Sequence, residues 1–441
     1  MSYLDNILFA IILSLGFGYF ALNVKKLIRN IKLGQDVNRK DNSAERWKNM
    51  AMIALGQSKM VKRPIAGILH IIVYVGFIII NLELLEIIID GLFGTHRAFS
   101  FMGGFYDVLI ASFEILAVLV IIAVIAFWIR RNIIKLKRFV NSDMKAWPKS
   151  DANYILYFEI VLMSLFLIMN ASDYWLQQMD VNHYDQAGSF PISQFIAPLF
   201  NGLSEGVVII IERTAWWLHI CGILVFLNYL YFSKHLHILL AFPNTYFANL
   251  NPQGKFDNLE SVTNEVKLML DPSADPFAAP ANPDAAPAKF GASDVQDLDW
   301  VQLLNAYTCT ECGRCTSSCP ANQTGKKLSP RKIMMDTRDR LEEVGKNIDL
   351  NKGVFVPDNK SLLNDYITPE ELWACTSCNA CVEECPVNIS PLSIIMDMRR
   401  YLVMEQSAAP MSLNAMMTNI ENNGAPWQYN QMDRLNWKDE N

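Results

Sequence analysis

Apolar residues crowd the chain up to about residue 245 and thin out beyond it. Five stretches in that first part reach the roughly 20 apolar residues that a membrane-spanning helix needs. They lie at 5–25, 64–90, 107–130, 153–172 and 207–241. The fourth is short, and the fifth carries Glu212 and Arg213 near its start. The first has Asp5 early and runs into Lys25 and Lys26, where a signal peptide would show a basic start and a short apolar core. It therefore reads as a retained helix.

The polar segments between these stretches are not alike. Segments 25–63 and 130–149 are dense in lysine and arginine, whereas 91–106 and 173–206 offer only Arg97. The positive-inside rule places the basic loops in the cytoplasm. The N-terminus is then outside and everything after Pro243 inside. A merely solvated surface gives no reason for basic residues to fall in alternate loops.

Beyond residue 245 the pattern changes. Residues 246–297 read as a linker, Pro/Ala-rich at 271–297, which lets a soluble domain dock on the membrane part or on a partner. Residues 298–400 hold eight of the nine cysteines with helical patterns between them, and 401–441 form a polar, Asn- and Met-rich tail suited to covering a partner. The expected fold is an all-α membrane bundle of five transmembrane helices (1–245) plus a mainly α-helical bacterial dicluster ferredoxin-like domain. Charged residues make up 19% of the chain, below the usual quarter. The net charge is −6 with no basic tail or domain, which excludes nucleic acid as a partner. There is no Gly-rich dinucleotide fingerprint, no P-loop and no nucleophile–base constellation, so no catalytic side chain is assigned.

The cysteines carry the chemistry. Cys309, Cys312, Cys315 and Cys319-Pro320 repeat the spacing of Cys375, Cys378, Cys381 and Cys385-Pro386. Each run is the C-x2-C-x2-C-x3-C-P pattern of bacterial ferredoxins, whose fourth cysteine ligates the other cluster. Cys309, Cys312, Cys315 and Cys385 thus fall to one [4Fe-4S] cluster, and Cys375, Cys378, Cys381 and Cys319 to the second. Zinc modules use cysteine pairs rather than this spacing. The ninth cysteine, Cys221, lies in an apolar helix and reads as core packing.

The stretches DLDWVQLLNAYTCTECGRCTSSCPANQTGKKLSPRKIM and ELWACTSCNACVEECPVNISPLSIIMDMRRYLVM resemble the iron–sulfur modules of heterodisulfide-reductase-type proteins. They are also similar to membrane electron-transfer-flavoprotein:quinone oxidoreductases. The tail NIENNGAPWQYNQMDRLNW resembles a segment that precedes cysteine-rich CCG domains in longer members. This sequence holds no Cys-Cys-Gly, so the resemblance implies a CCG-domain iron–sulfur subunit as a separate partner.

The six histidines are His70, His96, His183, His219, His235 and His237. An imidazole in lipid needs a partner, and bis-histidine haem b supplies one. His70 lies six residues after Pro64 and His237 six before Pro243, at similar depth, which makes them the first haem pair. His219 and His237 are 18 residues apart, five turns or roughly 27 Å of one continuous helix. His235 reads as a polar helix-end residue beside Lys234, and His183 as an exposed loop residue. Among the acids within the spans, Glu83 and Glu114 lie deepest and are the better candidates for a proton or quinone role, and Trp216 and Trp217 read as an interfacial belt. This half resembles the five-helix cytochrome b subunit of respiratory nitrate reductases and membrane heterodisulfide reductase. That family's two-haem pattern implies a histidine ten residues after His70, where this chain has Ile80. His219 is then left with His96, from the outer loop, as its candidate partner.

Together these readings give a multi-pass subunit of the inner (cytoplasmic) membrane with its iron–sulfur domain in the cytoplasm. It would pass electrons between a cytoplasmic partner (the CCG subunit, an electron-transfer flavoprotein or another flavoprotein), two [4Fe-4S] clusters, haem b and quinone in a respiratory chain. The alternatives are a haem-free membrane-anchored ferredoxin-like adaptor and an iron–sulfur redox sensor or assembly factor.

Overall fold

The computed structural model describes residues 3–273 and 289–439. Among these residues there are helices and two isolated bridges but no strand. Five helices are long and apolar enough to cross a membrane: α1 (Tyr3–Ile31), α2 (Pro64–Phe93), α3 (Gly104–Asn132), α4 (Trp147–Gln178) and α5 (Glu205–Leu230). Proline in the first turn opens α2 and α4, where its missing N–H has no intrahelical partner to lose. The helices close a ring: α1 packs on α2, α2 on α3, α3 on α4, α4 on α5, and α5 returns to α1.

Two glycines permit the tight crossings. A Cβ at Gly76 would lie 2.5 Å from Val120 of α3, and one at Gly222 would lie 2.8 Å from Leu162 of α4. The outer surface is apolar, with Ile68 60% and Ile210 65% exposed, which suits lipid and not water.

The fifth span departs from expectation. It stops at Leu230, and after a turn a 3-10 segment (Lys234–Leu236) leads into a separate helix, α6 (His237–Tyr246). His219 and His237 are therefore not on one continuous helix. The cause is tertiary: Asp151 of α4 accepts from Ser233 Oγ at 2.7 Å, from Tyr229 Oη at 2.5 Å and from the Lys234 N–H at 3.2 Å, which fixes the turn.

Trp216 also differs from expectation. It is 4% exposed and packs on Phe9 of α1 inside the bundle, so it is no lipid-facing belt residue. At the end of the bundle where α2 finishes, acids hold the loops. Asp90 accepts the Arg97 and Ala98 N–H groups, and Glu114 accepts those of Ile192 and Ser193. Arg97 itself is buried, bonded to Asp173 and Asn170.

The cysteine domain is built on α7 (Trp300–Thr308), α8 (Pro330–Leu350) and α9 (Pro391–Arg400), followed by α10 (Met411–Asn423) in the tail. Asp299 and Gln302 form a capping box that starts α7, and Ser329 caps α8. Most of the Pro/Ala-rich stretch, 274–288, lies outside the described residues. Residues 289–297, assigned to the linker by composition, belong to the folded domain instead. Ala292 and Val295 are buried, and Asp294 receives the guanidinium of Arg340, itself fully buried. Residues 246–273 include a helix at Glu260–Leu270.

The domain is docked on the ring. Its ion pairs with the ring lie at the end that carries the basic loops: Lys26 and Arg29 meet Asp349, Lys62 meets Glu383, and Arg63 meets Glu384 at 2.9 Å. Arg331 of α8 binds Asp143 at 2.6 Å, and Asn244 of α6 donates to the Val387 carbonyl at 2.7 Å.

Candidate functional site

The two cysteine runs fold alike. In each, a residue with positive φ (Gly313 or Asn379) begins a short helix at the third cysteine, and that helix ends at the fourth. The two short helices pack on each other, which crosses the ends of the runs. Cys309, Cys312, Cys315 and Cys385 line one pocket, together with Cys381, Arg331, Met334 and Ile389. Cys319 falls instead in the electrostatic neighbourhood of Cys375, Cys378 and Cys381.

Among the described residues no three His, Cys, Asp or Glu side chains converge tightly enough for a single metal ion. Cysteines around a wider pocket suit a cube of iron and sulfide. Burial pushes the Cys309 and Cys381 thiols up to about 12, and that of Cys385 up to about 11. Thiolates there need positive charge beside them, which iron provides. Cys378 is exposed, while Cys309, Cys319, Cys381 and Cys385 are buried.

The first cysteine run faces the membrane ring. Arg314 donates to the carbonyls of Lys59 and Met60, at 3.3 and 3.2 Å. Glu311, between Cys309 and Cys312, is 2% exposed and pairs with Lys234 and with Arg338, the latter at 2.9 Å. Burial raises its carboxyl, but the two cations outweigh this and hold it below its ordinary value. Sequence reading did not select this triad. Glu311 sits between two ligand-spaced cysteines, and that was the available signal.

The histidines separate into three places. His70 and His237 come together, ring centroids 6.4 Å apart. A metal–imidazole bond of about 2 Å on either side, plus the half-width of each ring, sums to roughly 6 Å between centroids. His70 Nδ1 is buried without a hydrogen bond. His237 Nδ1 lies 3.1 Å from the Lys234 carbonyl, the arrangement that directs Nε2 of a ligating histidine outward. His235 stands beside them, 5.4 Å from His237 between centroids, so it is more than a helix-end residue.

His219 lies deeper in the ring, its Nδ1 3.0 Å from the Leu162 carbonyl and its ring on Phe166. His96 is not brought to it. His96 Nε2 bonds Asp173 at 3.1 Å, and its ring rests on Tyr184 and on the exposed His183, in a separate pocket at the other end of the bundle. The loop that carries His96 is held there by Asp90 and Asp173, a tertiary anchor that spacing along the chain does not reveal.

The 4Fe-4S dicluster domain family matches residues 308–389. The chain is 31% identical, over 99% of its length, to the probable iron-sulfur-binding oxidoreductase FadF of Bacillus subtilis (strain 168), of which it covers 61%. It is 27% identical over 92% of its length to the EtfAB:quinone oxidoreductase of Syntrophomonas wolfei, covering 55% of that protein. It is 34% identical, over 35% of its length, to the probable membrane-anchored ferredoxin of Chromohalobacter salexigens, covering 25% of that protein. The chain thus spans little more than half the length of the first two relatives. No solved structure matches it.

Proposed function

We propose that this relative of iron–sulfur oxidoreductases, a membrane protein with a 4Fe-4S dicluster domain, is the electron-transfer subunit that joins a partner on the basic-loop side to the quinone pool. One haem b lies between His70 and His237. Cys309, Cys312, Cys315 and Cys385 hold the cluster nearer the membrane, and Cys375, Cys378, Cys381 and Cys319 hold the one nearer solvent. The cofactors supply the electron chemistry, and the chain supplies their spacing and environment.

One observation carries this reading. Two histidines distant in sequence, His70 and His237, stand at the separation of two axial imidazoles, at the end of the ring on which the cysteine domain docks. The exposed Cys378 marks where a cytoplasmic flavoprotein or a CCG-type iron–sulfur unit would exchange electrons, as the name of the EtfAB:quinone oxidoreductase relative suggests. The exposed side chains of the tail, among them Tyr429, Met432 and Trp437, offer that partner a surface. The basic loops on the docked side support a cytoplasmic location for this face.

The test is the dithionite-reduced minus oxidised spectrum of the purified protein beside its iron and sulfide content. A sharp b-type band with about eight non-haem irons per chain is expected for two four-iron clusters. Iron and sulfide with no haem band would refute the haem and leave a membrane-anchored ferredoxin-like adaptor.

A further inference from the structure

The ring of helices contains a second place that the path above leaves unused. Between α2, α4 and α5 a cavity is lined by Phe77, Ile80, Glu83, Glu159, Phe166 and His219. Phe77 is 43% exposed on the lipid-facing surface, so the cavity reaches the bilayer.

Its wall is apolar apart from a few groups, and two of these, Glu83 and His219, have acceptor atoms with no hydrogen bond. Both carboxylate oxygens of Glu83 are buried without a hydrogen bond, the residue being 2% exposed. Its nearest cation, Arg97, is 3.7 Å away. His219, 3% exposed, places Nδ1 against the Leu162 carbonyl, which makes Nε2 an acceptor, and among the described residues nothing bonds Nε2. Unmet acceptors at this depth are costly. An alkyl chain in the cavity would leave both unmet.

Glu83 has a second surface. It also lines the pocket of Glu86, Asp90, His96, Asp173 and Glu212, at the end of the bundle opposite the cysteine domain. One carboxylate therefore borders both the lipid-connected cavity and a polar chamber at the far membrane face.

We propose that the cavity holds the head of an isoprenoid quinol, whose two hydroxyls donate to His219 Nε2 and to the Glu83 carboxylate, and that Glu83 passes protons to and from the face opposite the clusters. The site is independent of the electron path. The turnover rests on that path, which delivers the electrons. Reduction of the quinone takes two electrons, arriving singly from the haem and clusters, and two protons. Each oxygen takes its proton from the group beside it, Glu83 as the carboxylic acid and His219 as an imidazolium protonated at Nε2. Both carbonyl oxygens become hydroxyls, and no other bond to the ring is made or broken. In quinol oxidation the same groups accept the two O–H protons.

The probe is 2-heptyl-4-hydroxyquinoline N-oxide, a fluorescent quinol analogue, titrated into detergent-purified holoprotein. Its quenching should saturate at one probe per chain. Ile80→Trp, which fills the cavity, and His219→Gln should each weaken binding roughly tenfold or more, as for one lost hydrogen bond or contact of about 1.4 kcal/mol. Both should retain full haem and iron content. Glu83→Gln should abolish the pH change at the far face of oriented proteoliposomes during quinol turnover while haem and iron content stay at the parental level. Haem loss in His219→Gln, absence of probe binding in cluster- and haem-replete protein, or a pH change only on the cluster side would each overturn the proposal. A missing haem band refutes the electron path alone, because probe binding requires no haem.

Discussion

Arg331 offers a quantitative test of how firmly the cysteine domain is fixed to the membrane ring. It is 0% exposed, and its guanidinium donates to Asp143 at 2.6 and 3.1 Å and to the Arg138 carbonyl at 2.7 Å. Both acceptors belong to the loop between α3 and α4. Arg331→Met keeps much of the volume and strands Asp143, whose side chain is 7% exposed. Removing one partner of a buried pair costs about 3–5 kcal/mol. Asp143 also accepts from Ser329 Oγ at 2.8 Å, which compensates in part and favours the lower end, about 3 kcal/mol.

The assay is the rate at which the visible absorbance of the clusters bleaches at fixed temperature with excess iron chelator. If the contact is already broken in the transition state for cluster release, about 3 kcal/mol raises that rate roughly 100-fold, and if it is half kept, roughly 10-fold. Arg331→Met with Asp143→Leu removes the stranded charge and should recover at least half of the loss. Bleaching of the single variant within about threefold of the parent, or strict additivity in the double, would refute the claim that this pair holds the domain in place.

Other outcomes follow from the same geometry. His70→Ala and His237→Ala should each abolish the b-type band while iron and sulfide stay at the parental level, read by difference spectrum and metal analysis. Cys385→Ser and Cys319→Ser should each halve the iron, and paramagnetic resonance of the reduced protein should lose a different signal in each, the crossed ligand sets predicting which. Asn244→Leu strands the Val387 carbonyl and removes one of the two acceptors of Asn305 Nδ2, which sits 3.2 Å from Asn244 Oδ1 and keeps the Val301 carbonyl, and should destabilise domain docking by about 1–3 kcal/mol, measured as earlier proteolytic release of the domain. A cysteine at Lys135 should react with a membrane-impermeant maleimide only in opened cells, and one at Asn182 in intact cells. The reverse labelling would overturn the orientation.

Hydropathy, spacing and depth made much of this protein legible, and the limits of that reading have one physical origin. Five spans, the cysteine runs and the pairing of His70 with His237 depend on local periodicity or on distance from a helix end, and both are written in the chain. The end of α5 was not legible because 207–241 is largely apolar and carries no glycine or proline where the helix stops. What ends it is Asp151, a residue of another helix, together with Ser233. His96 was misjudged for the same reason: its loop is held by Asp90 and Asp173, and a loop's anchor is a tertiary fact.

The break in α5 also has a consequence for the site. If the helix ran on to residue 241, Lys234 would remain in helical register and its carbonyl would take the intrahelical bond four residues on. Because the chain turns there, that carbonyl receives both the backbone N–H and Nδ1 of His237, while the Lys234 ammonium reaches Glu311 in the first cysteine run and the Pro148 carbonyl at 2.6 Å. One residue thus orients a haem-ligand candidate with its backbone and ties down the cluster loop with its side chain. The residue that is 8% exposed at this junction is a cation, and burial lowers its affinity for the proton although Glu311 and Asp151 oppose the shift. Lys234→Met should therefore leave Glu311 paired with Arg338 alone and loosen the first cluster's loop. Lys234→Arg, which keeps the charge and the backbone bond, should not. A faster bleaching of one cluster in Lys234→Met, with the b-type band unchanged in shape, separates the side-chain role from the backbone one. Loss of the haem band in Lys234→Met would instead mean that the turn itself depends on the ammonium, and that the docked domain shapes the haem site.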